Sequence, residues 1–207
     1  MILNKLEFLL MINPLRAFIQ EKYEMSIFCK MLTSTKFSNA LEIGCGNGNG
    51  ARLIKKYFKP EKIVAVDLDE KMVEIARKDN NDTSIDYMVM DAAQLEFPDN
   101  SFDVVFDFGI IHHIPNWREC LRELKRVLKY NGELMLQELA IESFSGFPGI
   151  LWKSLLAHPY EEMFTFKEFE EYLEETGFKI ISKKISNPLG LIKHVFLNAK
   201  INIVKDA

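Results

Sequence analysis

A glycine-rich run at residues 44–50 has the composition of a loop that holds a nucleotide or a nucleoside. Glycine lets the backbone turn sharply and approach a ligand with no Cβ in the way. The run follows a short apolar segment and precedes a segment with helical spacing. The first N–H groups of that helix would therefore favour negative charge near the loop. This position between a predicted strand and a predicted helix makes the run a useful signal for ligand binding.

Two interpretations of the run use different glycines. Gly46-x-Gly48-x-x-Ala51 matches the Gly/Ala variant of the dinucleotide fingerprint. Glu42-x-Gly44-x-Gly46-x-Gly48 matches instead a loop that binds a nucleoside and has no pyrophosphate to hold. The run alone leaves both interpretations open.

Acidic residues end the next two predicted strands. Asp67 lies nineteen positions after Gly48, where a carboxylate can accept hydrogen bonds from both hydroxyls of a ribose. An aspartate after a strand is also a common turn or N-cap residue, but Asp69 fills the N-cap role better. Asp91 ends the third predicted strand at the same edge of the sheet and fits an acceptor for an exocyclic amine.

Two adjacent histidines, His112 and His113, follow the fourth predicted strand. Imidazole titrates near neutral pH, so either is a candidate general base. The alternative is that they cap the next turn or pack beneath it. Neighbouring histidines diverge and make a poor metal pair. With Asp107, which ends the fourth predicted strand, they are the candidates for catalysis.

Segments that alternate between strand and helix patterns must position these residues. The strands are predicted at Asn39–Ile43, Lys62–Val66, Ile85–Met90, Phe102–Asp107, Glu133–Leu139, Phe178–Ile185 and His194–Ile201. Such alternation is typical of an α/β protein with a doubly wound, Rossmann-like and mainly parallel sheet of about seven strands. Only residues 186–193 separate the last two strands, which is too short for a parallel crossover. These strands are therefore predicted to form an antiparallel hairpin at the sheet edge.

Capping residues predict where the helices begin and end. Asp69 is a good N-cap for a helix over Glu70–Lys78. Asn116, with Glu119 three residues later, resembles a capping box. Asn131-Gly132 is predicted to end the helix that follows Asn116 and to start the fifth strand.

Two segments outside this core are candidates for contact with a substrate or a partner. Residues 1–37 are predicted to form an N-terminal helical cap in two pieces, separated at Pro14. Its apolar side chains suit a lid, a dimer contact or a membrane-surface helix, and packing on the core is the simplest alternative. Residues 144–165 are a long aromatic-rich connection and are predicted to be an insertion on the substrate side. No interdomain linker interrupts residues 1–207, which predicts a single domain.

The composition argues against several classes of protein. The chain has 207 residues, of which 48% are hydrophobic, and a formal net charge of −4. This balance argues against binding of duplex nucleic acid, which needs a clustered basic face. Cys29, Cys45 and Cys120 are sparse and lack metal-ligand spacing, which favours a reducing, cytoplasmic location and no metal site. No signal peptide or transmembrane segment is predicted; peripheral membrane contact and the oligomeric state stay open.

The stretch from residue 41 to residue 139 resembles the class I S-adenosylmethionine-dependent methyltransferases. It is most similar to the small-molecule branch that includes the ubiquinone/menaquinone-biosynthesis type, the methyltransferase type 11 family. The resemblance rests on Leu41-Glu42-Ile43-Gly44-Cys45-Gly46-Asn47-Gly48, Val64-Ala65-Val66-Asp67, Met90-Asp91-Ala92, the segment from Phe97 to Val105, and His112-His113-Ile114. The order and the spacing of these motifs agree across about half the chain.

The resemblance implies a site for S-adenosyl-L-methionine. Its residues would be Glu42, Gly44, Cys45, Gly46, Gly48, Asp67, Leu68, Asp91, Ala92, Asp107 and Phe108. The glycines would pass under the methionine and ribose portion, and Asp67 would bind the ribose hydroxyls. Leu68 would pack on the adenine, Asp91 would receive its amine and Ala92 would line its face. Asp107 and Phe108 would lie near the methionine end.

The activity implied is in-line methyl transfer to a small or lipophilic molecule. Enzymes of this fold that methylate amines of nucleic acids carry an Asn/Asp-Pro-Pro-aromatic run after the fourth strand. Here the sequence is Asp107-Phe108-Gly109-Ile110, which disfavours that substrate. A nicotinamide-dependent oxidoreductase is one alternative, but it would leave Asp91 without a role. A non-catalytic module that binds the cofactor and acts through a partner is the other.

Overall fold

The computed structural model describes residue 8 and residues 12–34, 36–145, 149–155, 159–187 and 192–201. Seven strands form one sheet in the order β3-β2-β1-β4-β5-β7-β6. The strands are β1 (Asn39–Ile43), β2 (Lys62–Asp67), β3 (Ile85–Val89), β4 (Phe102–Phe108), β5 (Leu128–Glu138), β6 (Phe178–Ser186) and β7 (His194–Ile201). Strand β7 is antiparallel to both of its neighbours, β5 and β6. All pairings among the first five strands are parallel. The predicted fold class is therefore confirmed.

Helices cover both faces of this sheet. They are α1 (Pro14–Ile19), α2 (Met25–Met31), α3 (Asn49–Phe58), α4 (Glu70–Lys78), α5 (Trp117–Val127), α6 (Gly149–Leu155) and α7 (Phe166–Glu175). Side chains alternate between the two faces along each strand. Leu41 and Ile43 of β1 pack in the core that α5 and α7 cover, whereas Ala40 packs in the core that α2, α3 and α4 cover. No described helix is long and apolar enough to span a membrane.

Parallel pairing brings the carboxyl ends of the central strands to one edge of the sheet. Ile43 of β1 is in register with Val66 of β2 and with Asp107 of β4. From β1, the chain adds β2 and β3 on one side of the sheet, and it then crosses to add β4 on the other side of β1. The gap between β1 and β4 is thus the topological switch point, where ligands bind in open α/β sheets.

The predicted boundary between α5 and β5 is wrong. Helix α5 ends at Val127 and β5 begins at Leu128, so Asn131-Gly132 lies inside the strand. The register against β4 shifts between Phe102 and Val104, and the turn-forming pair lies in that irregular stretch. The structural reason is that Leu128 already pairs with Phe102, which starts the strand before the glycine is reached.

The capping predictions have different outcomes. Asp69 caps α4, since its Oδ1 accepts a hydrogen bond from Lys71 N–H at 2.9 Å. Asn116 is the N-cap residue of α5 but makes no side-chain capping bond, so the predicted capping box is wrong. A capping box does occur at α7, where Thr165 and Glu168 bond reciprocally.

The described part of the N-terminal cap agrees with the predicted break at Pro14. Phe8 is helical, Asn13 is not, and Pro14 occupies the first turn of α1 after the N-cap Asn13, where proline fits. A π-helical turn at Gln20–Glu24 joins α1 to α2 without interruption. Leu15 and Phe18 are exposed rather than buried, with relative accessibilities of 63% and 57%. Residues 1–7 and 9–11 of the predicted cap lie outside the described residues.

Candidate functional site

Two clefts open at the switch point, and Gly44 lines both of them. The first cleft has a volume of about 370 Å³ and is lined by Arg16, Ala17, Gln20, Glu42, Gly44, Cys45, Asn47, Asn49, Gly50 and Phe108. The second has a volume of about 520 Å³ and is lined by Gly44, Val66, Asp67, Leu68, Met90, Asp91, Ala92, Ile110, His113, Ile114, Pro115 and Asn116. Together they form one ligand site of two parts, on either side of the glycine loop.

The glycine loop has a backbone that side chains would disrupt. Gly44 and Gly48 have φ angles of 65° and 78°, in the left-handed region. A Cβ at Gly44 would lie 2.5 Å from the Ile110 side chain, and one at Gly48 would lie 2.6 Å from the Tyr87 hydroxyl. The predicted need for glycine therefore has a geometric cause at both positions.

Asp67 joins the glycine loop to the end of β2. Its Oδ2 accepts a hydrogen bond from Gly46 N–H at 2.8 Å, and its Oδ1 accepts one from Asp69 N–H at 2.9 Å. Burial raises the pKa of this carboxyl. Each carboxylate oxygen has a further lone pair for a ligand. Asp67 lines the second cleft, so the predicted ribose acceptor is in reach of a ligand there.

Leu68 and Asp91 of the second cleft suit a flat aromatic ring that carries an amine. Leu68 is 48% exposed there, although it is apolar. Asp91 is exposed at the end of the cleft and accepts a hydrogen bond from Ala93 N–H at 2.8 Å, which fixes its carboxylate. Ala92, the residue after Asp91, is buried and lines the wall of the cleft. The site can thus hold an adenine on Leu68 and accept its amine at Asp91.

Glu42 places a buried carboxyl in the first cleft. The residue is 1% exposed, and its Oε2 has no hydrogen-bond partner among the described residues. Burial, followed by the charge of Asp67, raises its pKa well above the usual range. A Cβ at Gly50 would collide with Glu42 Oε1, so this glycine leaves room for the carboxyl. A ligand cation would satisfy both the free oxygen and the negative charge.

The inner face of the N-terminal helix closes the first cleft with polar side chains. Arg16 lies there and pairs with Glu24, with 3.0 Å between Nη1 and Oε1. Gln20 Oε1, in the π-helical turn after α1, accepts a hydrogen bond from Asn49 Nδ2 at 2.6 Å, which ties this turn to the start of α3. Sequence reasoning did not place Gln20 or Asn49 in the site. Asn49 lies in the glycine run itself, and that was the available signal.

The other residues predicted for the site lie in the two clefts, in the glycine loop or in the protein interior. Cys45 and Phe108 line the first cleft and His113 lines the second. Gly46 and Gly48 shape the loop through their backbones. Asp107 is completely buried, lines neither described cleft, and accepts hydrogen bonds from Gly109 and Ile110 N–H at 3.0 and 2.8 Å. His112 is buried beside Glu138, a residue that sequence reasoning did not select.

A doubly wound sheet with two clefts at its switch point defines the class: an α/β protein with a ligand site at the carboxyl ends of its parallel strands. Residues 41–136 match the family model described as a methyltransferase domain. The predicted resemblance to the class I S-adenosylmethionine-dependent methyltransferases is therefore confirmed for this stretch of the chain.

Two relatives have names that describe lipophilic substrates. A fatty-acid O-methyltransferase from Mycolicibacterium smegmatis is 34% identical over 92 residues, which cover 44% of this chain and 34% of that protein. A demethylmenaquinone methyltransferase from Listeria welshimeri is 28% identical over 154 residues, which cover 69% of this chain and 63% of that protein. The chain thus spans less than two thirds of the length of either relative.

One solved structure has the same fold as this chain over almost the whole length of both proteins. It is an S-adenosylmethionine-dependent methyltransferase from Aquifex aeolicus, with a TM-score of 0.72 and 20% sequence identity. The similarity covers 96% of this chain and 98% of that one. At this level of identity the comparison establishes the fold.

Proposed function

We propose that this chain is an S-adenosylmethionine-dependent methyltransferase that acts on a small lipophilic acceptor. The observation that carries the proposal is the pair of clefts that share Gly44. One offers Asp67 and Leu68 to a nucleoside. The other offers a free carboxylate at Glu42 and a cation at Arg16, which suits an amino acid with both charges.

Each charge of a methionine moiety has a counterpart in the first cleft. Glu42 Oε2 is buried and has no hydrogen-bond partner in the part of the chain that the structure describes, so a ligand ammonium there would offset the cost of burying this carboxyl. The Arg16 guanidinium is 27% exposed and held by Glu24, which leaves N–H donors for a ligand carboxylate. A dinucleotide would bring two phosphates to this cleft, where the Glu42 carboxylate would repel them. The first cleft therefore favours the methyl donor over a nicotinamide cofactor.

The protein's task in such a reaction is alignment and exclusion of water. When bound, the sulfonium supplies an activated methyl group and a neutral leaving thioether. Phe108, at the end of β4, gives the first cleft an apolar wall beside Gly44. The N-terminal helix covers the same cleft through Ala17 and Gln20. These residues hold the donor in one orientation and keep water from the reacting centre.

The acceptor is assigned to the small, lipophilic class. The names of both relatives support this choice, as does the aromatic connection at 144–165, in which Phe144 and Tyr160 pack edge to face at 5.3 Å. A net charge of −4 disfavours duplex nucleic acid. We place the enzyme in the cytoplasm because the described cysteines are free.

The proposal is tested by differential scanning fluorimetry and a transfer assay. S-adenosylmethionine and its demethylated product should raise the unfolding temperature in a concentration-dependent manner, whereas NAD should not. With methyl-labelled donor and a lipid extract, label should appear in the organic phase. Stabilisation by NAD alone would contradict the methyltransferase assignment. Donor binding without any transfer would favour a non-catalytic cofactor-binding module.

A further inference from the structure

A chain of polar contacts leads from the wall of the first cleft into the interior of the protein. Arg16 lines that cleft, and its Nη1 lies 3.0 Å from Glu24 Oε1. Gln137 Nε2 donates a hydrogen bond to the same oxygen at 3.3 Å and lies 3.2 Å from His194 Nδ1. Glu24 and Gln137 are each 4% exposed. A carboxyl group is therefore buried directly behind the cation that the first cleft presents.

The contacts of Glu24 satisfy one of its two carboxyl oxygens. Oε1 makes both contacts, whereas Oε2 is buried and has no hydrogen-bond partner in the part of the chain that the structure describes. Burial raises the pKa of Glu24, and the charge of Arg16 and the contacts with Arg16 and Gln137 oppose that rise. Burial of a carboxylate is costly unless positive charge lies near it. A ligand cation in the first cleft would therefore offset part of this cost.

The neighbours of Glu24 other than Arg16 do not neutralise its charge. Burial, followed by the charge of Arg16, lowers the pKa of His194 to about 4, so this imidazole is neutral at neutral pH. Burial, followed by the charge of Glu24, raises the pKa of Tyr23, so the phenol keeps its proton. Gln137 has no charge. Among the described residues, Arg16 is thus the one cation that pairs with Glu24.

Packing of the N-terminal segment places Glu24 near the carboxyl end of β4. Phe28 follows Glu24 by four residues, a spacing that puts both on one face of a helix. The ring of Phe28 packs against Phe108 with 5.2 Å between centroids. Phe108 lines the first cleft and is in register with Gln137, which donates to Glu24. Glu24 therefore lies behind the cleft wall that Arg16 and Phe108 form.

The charges of the proposed methyl donor correspond one by one to charges of the site. Its ammonium is assigned to Glu42 and its carboxylate to Arg16. The sulfonium is the third charge and joins the amino acid, in the first cleft, to the nucleoside, in the second. Once the donor carboxylate has neutralised Arg16, the Glu24 carboxylate is left as a charge of opposite sign to the sulfonium. The demethylated product has a neutral sulfur and offers no such match.

We infer that Glu24 is a specificity-determining residue that favours the sulfonium donor over the neutral product through its charge, without direct contact. The inference rests on the proposed function and deepens it, because it concerns the exchange of product for donor at the same site. Attraction between opposite charges is stronger in a protein interior than in water, and buried charges are screened little by salt. Transfer of the methyl group removes the charge that Glu24 attracts, which favours release of the product.

The ratio of two affinities is the first test, because damage to the fold lowers both affinities together. Calorimetric titration measures the Kd for S-adenosylmethionine and for its demethylated product. Glu24→Gln should reduce the preference for the donor relative to the product by about 10-fold. An analogue with a protonated amine in place of the sulfonium should behave like the donor, since it has the same charge but no methyl group to transfer.

Two further variants are the controls. Glu24→Asp keeps the negative charge and should hold the ratio within about three-fold of wild type, even where both affinities fall. Glu21→Gln removes a carboxylate of the same π-helical turn, which pairs with Lys56 at 2.6 Å and lines neither described cleft. It should leave the ratio unchanged.

A measurement on the wild type makes the test independent of the folding of Glu24→Gln. In protein labelled with ¹³C at the glutamate carboxyl groups, Glu24→Asp identifies the resonance of Glu24. The pKa of Glu24 should be lower in the complex with the amine analogue than in the complex with the product, because a nearby cation favours the ionised carboxyl. Equal pKa values in the two complexes would overturn the inference.

The outcomes separate the two proposals. Failure of the wild type to bind both S-adenosylmethionine and its product contradicts the proposed function. Binding of both ligands with an unchanged ratio in Glu24→Gln, or with the same change of ratio in Glu24→Asp, overturns the inference about Glu24 and leaves the assignment of the methyl donor intact.

Discussion

Asp67 has two tasks within one side chain, because it faces the nucleoside cleft and also anchors the glycine loop through Gly46 N–H. Asp67→Ala should weaken S-adenosylmethionine binding by about 1.5–3 kcal/mol, or about 10- to 150-fold, through loss of a charge-assisted hydrogen bond. Calorimetric titration measures the change. Asp86→Ala, an exposed aspartate paired with Lys62 on the neighbouring strand, is the control and should bind normally. Unchanged affinity in Asp67→Ala would remove Asp67 from the site.

Gly46 has a φ angle of 50° in the loop between the two clefts. Gly46→Val should destabilise the fold by about 1–2 kcal/mol, because a β-branched residue is strained in the left-handed region. It should also abolish cofactor binding, since the loop can no longer follow the ligand. Circular dichroism and titration measure the two effects separately. A folded variant with normal affinity would show that Gly46 does not contact the cofactor path.

Single residues also show what a sequence can reveal about a site. Asp67, Leu68 and Asp91 follow strand ends in a known order, so their shared cleft could be predicted. Glu138 could not, because the apolar pattern of β5 contains a charged residue whose partner, His112, is 26 positions away. A carboxylate at the end of a buried strand signals a polar contact, but the identity of that contact depends on register.

At the scale of elements, Glu133 of β5 attaches the N-terminal cap to the sheet. It accepts hydrogen bonds from Thr33 and Ser34 N–H at 2.9 and 2.6 Å and from Asn198 Nδ2 at 2.7 Å. Lys200 Nζ adds an ion pair at 3.4 Å. One carboxylate therefore joins the segment after α2 to β5 and β7.

This contact predicts a pH-dependent stability. Burial raises the pKa of Glu133, but the hydrogen bonds from Ser34, Thr33 and Asn198 outweigh burial and lower the pKa to about 2 in the folded protein, below its unfolded value. A depressed folded pKa contributes stability that is present above the unfolded pKa and is lost as the pH falls toward 2. Glu133→Gln should thus be less stable than wild type at pH 6–7, and the difference should shrink between about pH 5 and pH 3. Thermal unfolding across that range measures it. A difference independent of pH would contradict the assignment.

The elements also show where a sequence pattern is sufficient. Strands β1 and β2 are short apolar runs before ligand residues, and their predicted positions agree with the structure. The start of β5 could not be predicted from the sequence. Leu128 continues the apolar helical spacing of α5, but in the structure it pairs with Phe102 of β4 and so belongs to the strand. The break at Pro14 could be predicted, because proline cannot continue a helix and fits the first turn of a new one.

At the scale of the molecule, one face of the N-terminal helical segment lines the ligand site and the other is exposed and apolar. Arg16 and Gln20 line the first cleft, whereas Leu15 and Phe18 are exposed. Deletion of residues 1–19 should weaken S-adenosylmethionine binding by about ten-fold or more, because it removes Arg16. It should lower the unfolding temperature only slightly, since the described residues of α1 include none that are buried.

A double substitution separates the two faces. Leu15→Ser with Phe18→Ser should leave donor affinity unchanged, because neither residue lines either of the two described clefts. Sedimentation with phosphatidylcholine vesicles completes the comparison. Co-sedimentation of the wild type but not of the double variant would assign the exposed face to a lipid surface. Loss of donor affinity in the double variant would contradict the division of faces.

The insertion of the last strand between β5 and β6 has a consequence for the order of folding. Strand β7 supplies Asn198, whose Nδ2 donates to Met31 O and to Glu133 Oε2, both at 2.7 Å. Until residues 194–201 leave the ribosome, this edge of β5 has no partner and the N-terminal segment lacks the hydrogen bond from Asn198. Chaperones would therefore meet an open edge of β5 before these residues are synthesised.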